Sequence, residues 1–299
     1  MYKSFSELIS KTTAAPKTLV VAAAHDEHTL EAVFAASEKL GVRYILVGNR
    51  EKINAISSEL RALPEQSAII DSADDIDSAK KAVAIIREKS ADTLMKGILE
   101  TKTLLKEVLD RETGIRGTGT LSHLAVLEVP IYEKLICVTD GGMIPNPTLA
   151  QKVDIAINAA AFYRQMGCKT PKIAALCATE SVSPKIPETV EAAELQEMCR
   201  KGELGDCLLE GPISFDLAID KESAKIKGFK SQISGETDIL LVPNITVGNV
   251  VAKALMYWAG AKMAGCILGA KTPIVLASRG ATAEEKLLSI MISTLKIEN

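Results

Sequence analysis

The sequence predicts an α/β protein built on mostly parallel sheets, and three observations carry that expectation. Short apolar runs of strand length alternate with longer stretches whose apolar residues recur at helical spacing. The composition is 47% hydrophobic but only 4% aromatic, with Ala, Ile, Leu and Val supplying the apolar mass. That balance suits layered helices and covered strands better than a β-sandwich. The runs themselves, such as TLVVAAA from Thr18 to Ala24, are continuous rather than alternating, as strands buried on both faces are.

The elements follow in order. A short helix opens the chain from Phe5 to about Lys11. The strand Thr18 to Ala24 leads through His25-Asp26-Glu27 into a helix from His28 to Leu40, with Leu30, Val33, Phe34 and Leu40 facing inward and Gly41 where a helix-ending glycine belongs. A strand from Tyr44 to Val47, leaving through Gly48-Asn49, completes a β-α-β unit, which implies a parallel pair with a right-handed crossover. Helices at Lys52 to Leu60, Ile76 to Lys89 and Lys102 to Leu109 alternate with strands at Ala68 to Ile70 and Thr93 to Met95, the latter ending at Lys96-Gly97. Arg111 to Thr120, RETGIRGTGT, is a glycine-rich polar loop, of a length that marks function or mobility.

A second half begins near Leu127. Its strands are Leu135 to Thr139, broken by Asp140-Gly141-Gly142, then Ile173 to Cys177, and Ile239 to Val242, ending at Pro243-Asn244. Its helices are Thr148 to Met166, Pro187 to Lys201 and Gly248 to Ala264, with Asn249 near the start of the last; Gly211 to Ser214 reads as a loop feeding a helix from Asp216. The chain closes on a strand from Pro273 to Ala277, the turn Ser278-Arg279-Gly280, and a helix from near Thr282 carrying Leu287, Leu288 and Met291. No internal repeat or low-complexity linker interrupts this order.

Composition excludes several classes of function. The net charge is -3, from 35 Lys+Arg against 38 Asp+Glu, with no basic block, so nucleic acid is not the expected partner. The six cysteines form no C-x-x-C pair, and no histidine stands at zinc spacing beside them. They read as small core residues in a reducing compartment, and no metal is expected. The N-terminus lacks the apolar core of a signal peptide. The most apolar region, Ile239 to Ser278, is interrupted by Lys253, Lys262 and Lys271, so no membrane span is expected. A soluble cytoplasmic protein follows as the expectation.

One placement recurs among the polar residues. Lys96 and Gly97, Thr139-Asp140-Gly141, Asn244, and Ser278-Arg279 each follow an apolar strand. In parallel sheets such groups converge on one edge, where ligands bind and where the free N–H groups of a helix start favour an anion. A single turn means little, because turns use Gly, Asn and Asp anyway. Their recurrence with Lys and Arg among them points to a small anionic ligand. Gly117-Thr118-Gly119 does not make a dinucleotide fingerprint: no buried strand precedes it, and position 122 is Ser where a third glycine would stand. No G-x-x-x-x-G-K-[ST] loop is present. Ser122-His123 is a site candidate, with Ser122 as the N-cap of the Leu124 to Leu127 segment standing beside that reading. Thr282-Ala283-Glu284-Glu285 fits the capping box T-x-x-E, a role that would account for Glu285 by itself.

Taken together, LMKG at Leu94 to Gly97, VTDGGMIPNPT at Val138 to Thr148, EGPISFD at Glu210 to Asp216, LLVPNITVGN at Leu240 to Asn249 and GAKTPIVLASRGATAEEKLLSI at Gly269 to Ile290 resemble the phosphate acetyl/butyryl transferase family, and within it the phosphate butyryltransferase branch. The resemblance covers nearly the whole chain. It implies two α/β domains around a cleft, like the isocitrate and isopropylmalate dehydrogenases, with residues 1–127 plus 267–299 in the first and 128–266 in the second. It implies reversible transfer of a short acyl group between coenzyme A and phosphate, with acyl-CoA, phosphate and acyl phosphate as small-molecule partners. Coenzyme A is then a substrate and no cofactor is needed. A homo-oligomer is implied as well. By the same resemblance Ser278, Arg279 and Glu285 serve the reaction, Glu285 standing where the acetyl enzymes have Asp. Lys106 falls where the acetyl enzymes have an arginine, and Lys lacks the bidentate fork of Arg. Lys96, Ser122, His123, Thr139, Asp140, Asn244 and Asn249 complete the expected substrate contacts. Two other readings stand beside this one, a phosphate acetyltransferase and a nicotinamide-dependent hydroxy acid dehydrogenase of the same fold. The second lacks evident Asp pairs to hold a divalent metal.

Overall fold

The structure is a computed structural model that describes residues 2–11, 17–60, 68–277 and 280–294. Its strands are β1 (Thr18–Ala22), β2 (Arg43–Gly48), β3 (Ala68–Asp71), β4 (Thr93–Lys96), β5 (Ser122–Glu128), β6 (Ile136–Thr139), β7 (Lys172–Leu176), β8 (Leu208–Ile213), β9 (Ile239–Leu241), β10 (Lys262–Leu268) and β11 (Ile274–Val275). The helices are α1 (Phe5–Ser10), α2 (Glu27–Leu40), α3 (Arg50–Glu59), α4 (Asp75–Arg87), α5 (Thr101–Val108), α6 (Leu149–Gln165), α7 (Pro187–Arg200), α8 (Phe215–Ile219), α9 (Lys221–Ile226), α10 (Ile245–Tyr257) and α11 (Ala283–Thr294). The chain falls into two compact units. One comprises Ile9–Thr118 with the chain from Ala264; the other comprises Gly119–Met263 with the N-terminal residues to Leu8.

In the first of these units the strand order is β3-β2-β1-β4-β11-β10. All neighbours run parallel except β10, which is antiparallel to β11. Leu19, Val21, Leu46, Met95 and Val275 are fully buried against Leu30 and Val33 of α2 and Ile290 of α11. Burying a side chain of this size contributes roughly 1.5–3 kcal/mol, which is why these strands read as unbroken apolar runs. Asp26 caps α2 by accepting from Thr29 N, and Gly41 ends it at φ 66°. At Gly97 an added Cβ would sit 2.1 Å from Ala23 O. Only glycine lets the chain leaving β4 lie this close to the end of β1.

In the other unit the order is β5-β6-β9-β7-β8, parallel apart from the antiparallel β5–β6 pair. Leu127, Val138, Ala174, Ile213 and Leu240 form its core with Leu217 and Ile233. Because β5 runs against β6, its first residues lie at the edge where β6 ends. Ser122-His123, Thr139-Asp140 and Pro243-Asn244 therefore share one sheet edge.

Three sequence expectations fail here, each for a physical reason. Ser122 caps no helix: it opens β5, and Leu124 to Leu127 are buried strand residues. Gly211 to Ile213 are not a loop but the end of β8, the last strand in the order. Proline has no N–H for a sheet ladder and is tolerated on such an edge; the neighbouring Gly211 N–H donates to Gln196 Oε1 at 2.9 Å. The helix from Gly248 to Ala264 begins earlier and stops at Tyr257, Gly260 takes φ 67°, and β10 starts at Lys262. Continuous apolar sequence does not separate a buried strand from a helix end. None of the described helices is long and apolar enough to cross a membrane.

Candidate active site

The sequence places most of its site residues at strand ends and Lys106, Asn249 and Glu285 on helices, and the geometry of each unit shows what holds the described ones there. Asp140 is buried directly after β6. Its carboxylate turns back into its own loop, where Oδ1 accepts from the backbone N–H groups of Gly142 and Met143 at 2.9 Å and Oδ2 from that of Ile144 at 3.1 Å. A carboxylate accepting three amides organises a turn the backbone could not hold alone. Beside it Thr139 Oγ1 donates to His123 O at 2.9 Å, which ties β6 to the start of β5.

His123 packs on this loop. An added Cβ at Gly142 would lie 3.0 Å from the imidazole Cγ, so the glycine makes room for the ring. Among the described residues His123 Nδ1 is buried without a hydrogen-bond partner. Burial lowers the pKa of the ring, and the nearby Asp140 charge opposes that shift. Ser122 is buried, and its Oγ accepts from Asn158 Nδ2 at 3.0 Å; the same amide donates to Thr120 O at 2.9 Å. One turn earlier on α6, Asp154 Oδ2 accepts from Thr120 N at 2.9 Å and from Thr120 Oγ1 at 2.7 Å. Asp154 and Asn158, four residues apart, thus fix the end of the glycine-rich loop. The sequence reading missed both, although two polar residues at i and i+4 on a helix rich in Ala and Ile are a recognisable signal.

Asn244 is the N-cap of α10, its Oδ1 accepting from Val247 N at 3.1 Å, a complete structural role. Asn249 lies exposed one turn further on.

In the unit that carries the C-terminal helix, Lys96 is buried at the end of β4, and its Nζ donates to Gly97 O and Leu99 O, both at 3.0 Å. At least two of its three donors therefore serve the backbone of its own turn. Lys106 is exposed on α5, on the face opposite Leu104 and Val108. The capping box at α11 closes as expected: Thr282 N donates to Glu285 Oε2 at 2.7 Å, and Glu285 N donates to Thr282 Oγ1 at 3.1 Å. Glu285 is half-buried. Ser278 and Arg279, on which the sequence reading places most of the chemistry, lie outside the described residues.

Sequence reasoning also passed over Lys286. It is buried in α11, with Nζ 3.6 Å from Asp26 Oδ1 and 3.5 Å from Thr29 Oγ1. This pair pins the first turn of α11 to the start of α2, next to Glu285. Among the described residues no group of three or more His, Cys, Asp or Glu side chains could hold a metal ion.

Comparison with known proteins settles the family. Residues 73–294 match the family model described as phosphate acetyl/butaryl transferase. The chain belongs to the phosphate acetyl/butyryl transferase family. The relatives that follow match over 93% or more of this chain. The probable phosphate butyryltransferase of Bacillus subtilis is 41% identical over 93% of this chain and 92% of its own. The phosphate acetyltransferase of Thermotoga maritima is 37% identical over 97% of this chain and 98% of its own. Among solved structures, a branched-chain phosphotransacylase from Enterococcus faecalis superposes with a TM-score of 0.85 at 31% identity, covering 95% of this chain and 99% of that one.

Proposed function

We propose that this chain is a phosphate butyryltransferase, catalysing butyryl-CoA + phosphate = butyryl phosphate + CoA. The observation that carries the reading is similarity over 93% of the chain to a relative described as a probable phosphate butyryltransferase, joined to the close superposition on a branched-chain phosphotransacylase. Acetyl transfer is the neighbouring reading, and the Thermotoga maritima relative favours it. One or two methylenes in an apolar pocket separate such substrates by only about 1–3 kcal/mol.

The reaction is direct. In the direction of thioester synthesis the coenzyme A thiol gives its proton to Glu285, and the thiolate attacks the carbonyl carbon of butyryl phosphate. Ser278 donates a hydrogen bond to the tetrahedral oxyanion. The carbon–oxygen bond to phosphate then breaks, the departing phosphate takes the proton from Glu285, and Arg279 holds that phosphate through charge-assisted hydrogen bonds. In reverse, a phosphate oxygen attacks the thioester, and protonated Glu285 returns the proton to the departing thiolate. Coenzyme A enters as a substrate, and the chemistry calls for no cofactor. Lys106 and Asn249 offer exposed side chains to the substrates. Lys96, Thr139, Asp140 and Asn244 shape the sheet edges, with Ser122 and His123 beside them. Action in the cytoplasm as a homo-oligomer completes the proposal.

Direct transfer has a kinetic signature. Varying butyryl-CoA and phosphate together should give intersecting double-reciprocal lines, as a ternary complex requires. Parallel lines, the mark of an acyl-enzyme released before the second substrate binds, would overturn the mechanism.

A further inference from the structure

Two cysteines stand apart from the other four. Cys199, near the end of α7, and Cys207, just before β8, bring their Sγ atoms to 3.7 Å. Cys199 Sγ also lies 3.4 Å from Cys207 O, so the sulfur reaches the backbone of its partner residue. The seven residues between them turn through Gly202 and Gly205, at φ 81° and 74°. A disulfide needs the sulfurs to close to about 2 Å, a small movement for a tight turn. Both cysteines line an open groove of about 910 Å³, together with Gln196, Arg200, Glu210 and Ser231. A reagent in solution therefore has a route to the pair.

The surroundings divide the labour between the two thiols. A hydrogen bond from Cys207 holds the Cys199 thiol down to about 7, aided by an amide hydrogen bond from Leu209 and the Arg200 charge, with burial opposing. The same bond raises Cys207, and burial raises it further. The other charges around the pair are the Asp206 carboxylate beside Cys207, Glu197 on α7, Arg164 on α6, whose Nη1 donates to Asp206 O, and Glu180, Glu210 and Lys230 along the groove. Elsewhere burial pushes Cys168 and Cys177 up to about 11, and Cys137 and Cys266 lie in the core.

We propose that Cys199 and Cys207 form a thiol–disulfide exchange site, with Cys199 attacking small-molecule disulfides and Cys207 resolving the mixed disulfide. The Cys199 thiolate attacks one sulfur of a disulfide RSSR, forming Cys199–S–S–R and expelling RS⁻. Cys207 then loses its proton to solvent and attacks the Cys199 sulfur, which forms the Cys199–Cys207 bridge and expels a second RS⁻. Two protein thiols are oxidised and one external disulfide is reduced to two thiols. The site takes no part in acyl transfer, so its success or failure leaves that proposal untouched.

The test treats the reduced full-length protein with glutathione disulfide and follows intact mass and mapped peptides. The expected product has lost two thiols, carries no glutathione and contains a 199–207 bridge. Cys207→Ala should stop with one glutathione on Cys199. Cys199→Ala should form neither the bridge nor an adduct at Cys207. Iodoacetamide labelling of Cys199 in the wild type should rise through pH 7, and in Cys207→Ala that midpoint should move toward the ordinary thiol value. Six thiols left intact in the wild type, or first modification at Cys168 or Cys177, would overturn the assignment without reliance on any variant.

Discussion

Glu285→Gln should lose roughly 10²–10⁴-fold in turnover, the contribution expected of a positioned general base, while its thermal midpoint stays at the wild-type value. The substitution separates two roles that one carboxylate fills. Glu285 Oε2 accepts from Thr282 N at 2.7 Å, and this bond with its reciprocal partner closes the first turn of α11. Gln serves equally well at this position of a capping box, because its amide oxygen accepts the same N–H. It cannot take a proton from a thiol. The buried Lys286–Asp26 contact, which anchors the same turn, is unaffected by the change. Steady-state kinetics with butyryl phosphate and coenzyme A, beside a thermal melt, read both quantities. Near-wild-type turnover in a folded Glu285→Gln protein would leave Glu285 as a helix cap and nothing more.

The second large effect is on stability. Asp140→Ala removes the acceptor for three backbone N–H groups, those of Gly142, Met143 and Ile144. The donors belong to one exposed and two half-buried residues and can rehydrate in part, so a loss of about 1–3 kcal/mol is expected for the three together. The damage should spread, because Pro145 O of the same loop accepts from Ile245 N at 3.1 Å at the start of α10. Asp140→Asn keeps an acceptor oxygen and should lose less than half as much. Urea denaturation followed by circular dichroism measures both. A loss below about 1 kcal/mol for the alanine variant would mean that the loop does not depend on the carboxylate.

How far the sequence could be read differs between fold and site. Strands β1, β2, β4, β7 and β9 were legible because each is covered on both faces and so appears as a short unbroken apolar run between turn residues. The missed strands lie where that rule weakens. β5 opens on the polar pair Ser122-His123, β8 contains Gly211-Pro212 at a sheet edge, and β10 follows the apolar helix α10 with only Gly260 to mark the break. For the site, sequence supplied positions but not directions. Asp140 and Asn244 were legible as polar residues at strand ends, yet their oxygens face local amides, which no spacing pattern reveals. Lys286 was hidden by its helix, since a lysine among apolar residues reads as a solvated position until Asp26 is brought to it by the fold.

The account stands on acyl transfer between a thioester and phosphate. Its most direct test is the release of free thiol from butyryl-CoA by the purified full-length protein, measured with and without inorganic phosphate, beside isobutyryl-CoA and acetyl-CoA. The account predicts thiol release that requires phosphate and is faster with butyryl-CoA than with acetyl-CoA. Thiol release that is absent, or that proceeds at the same rate without phosphate, would contradict it.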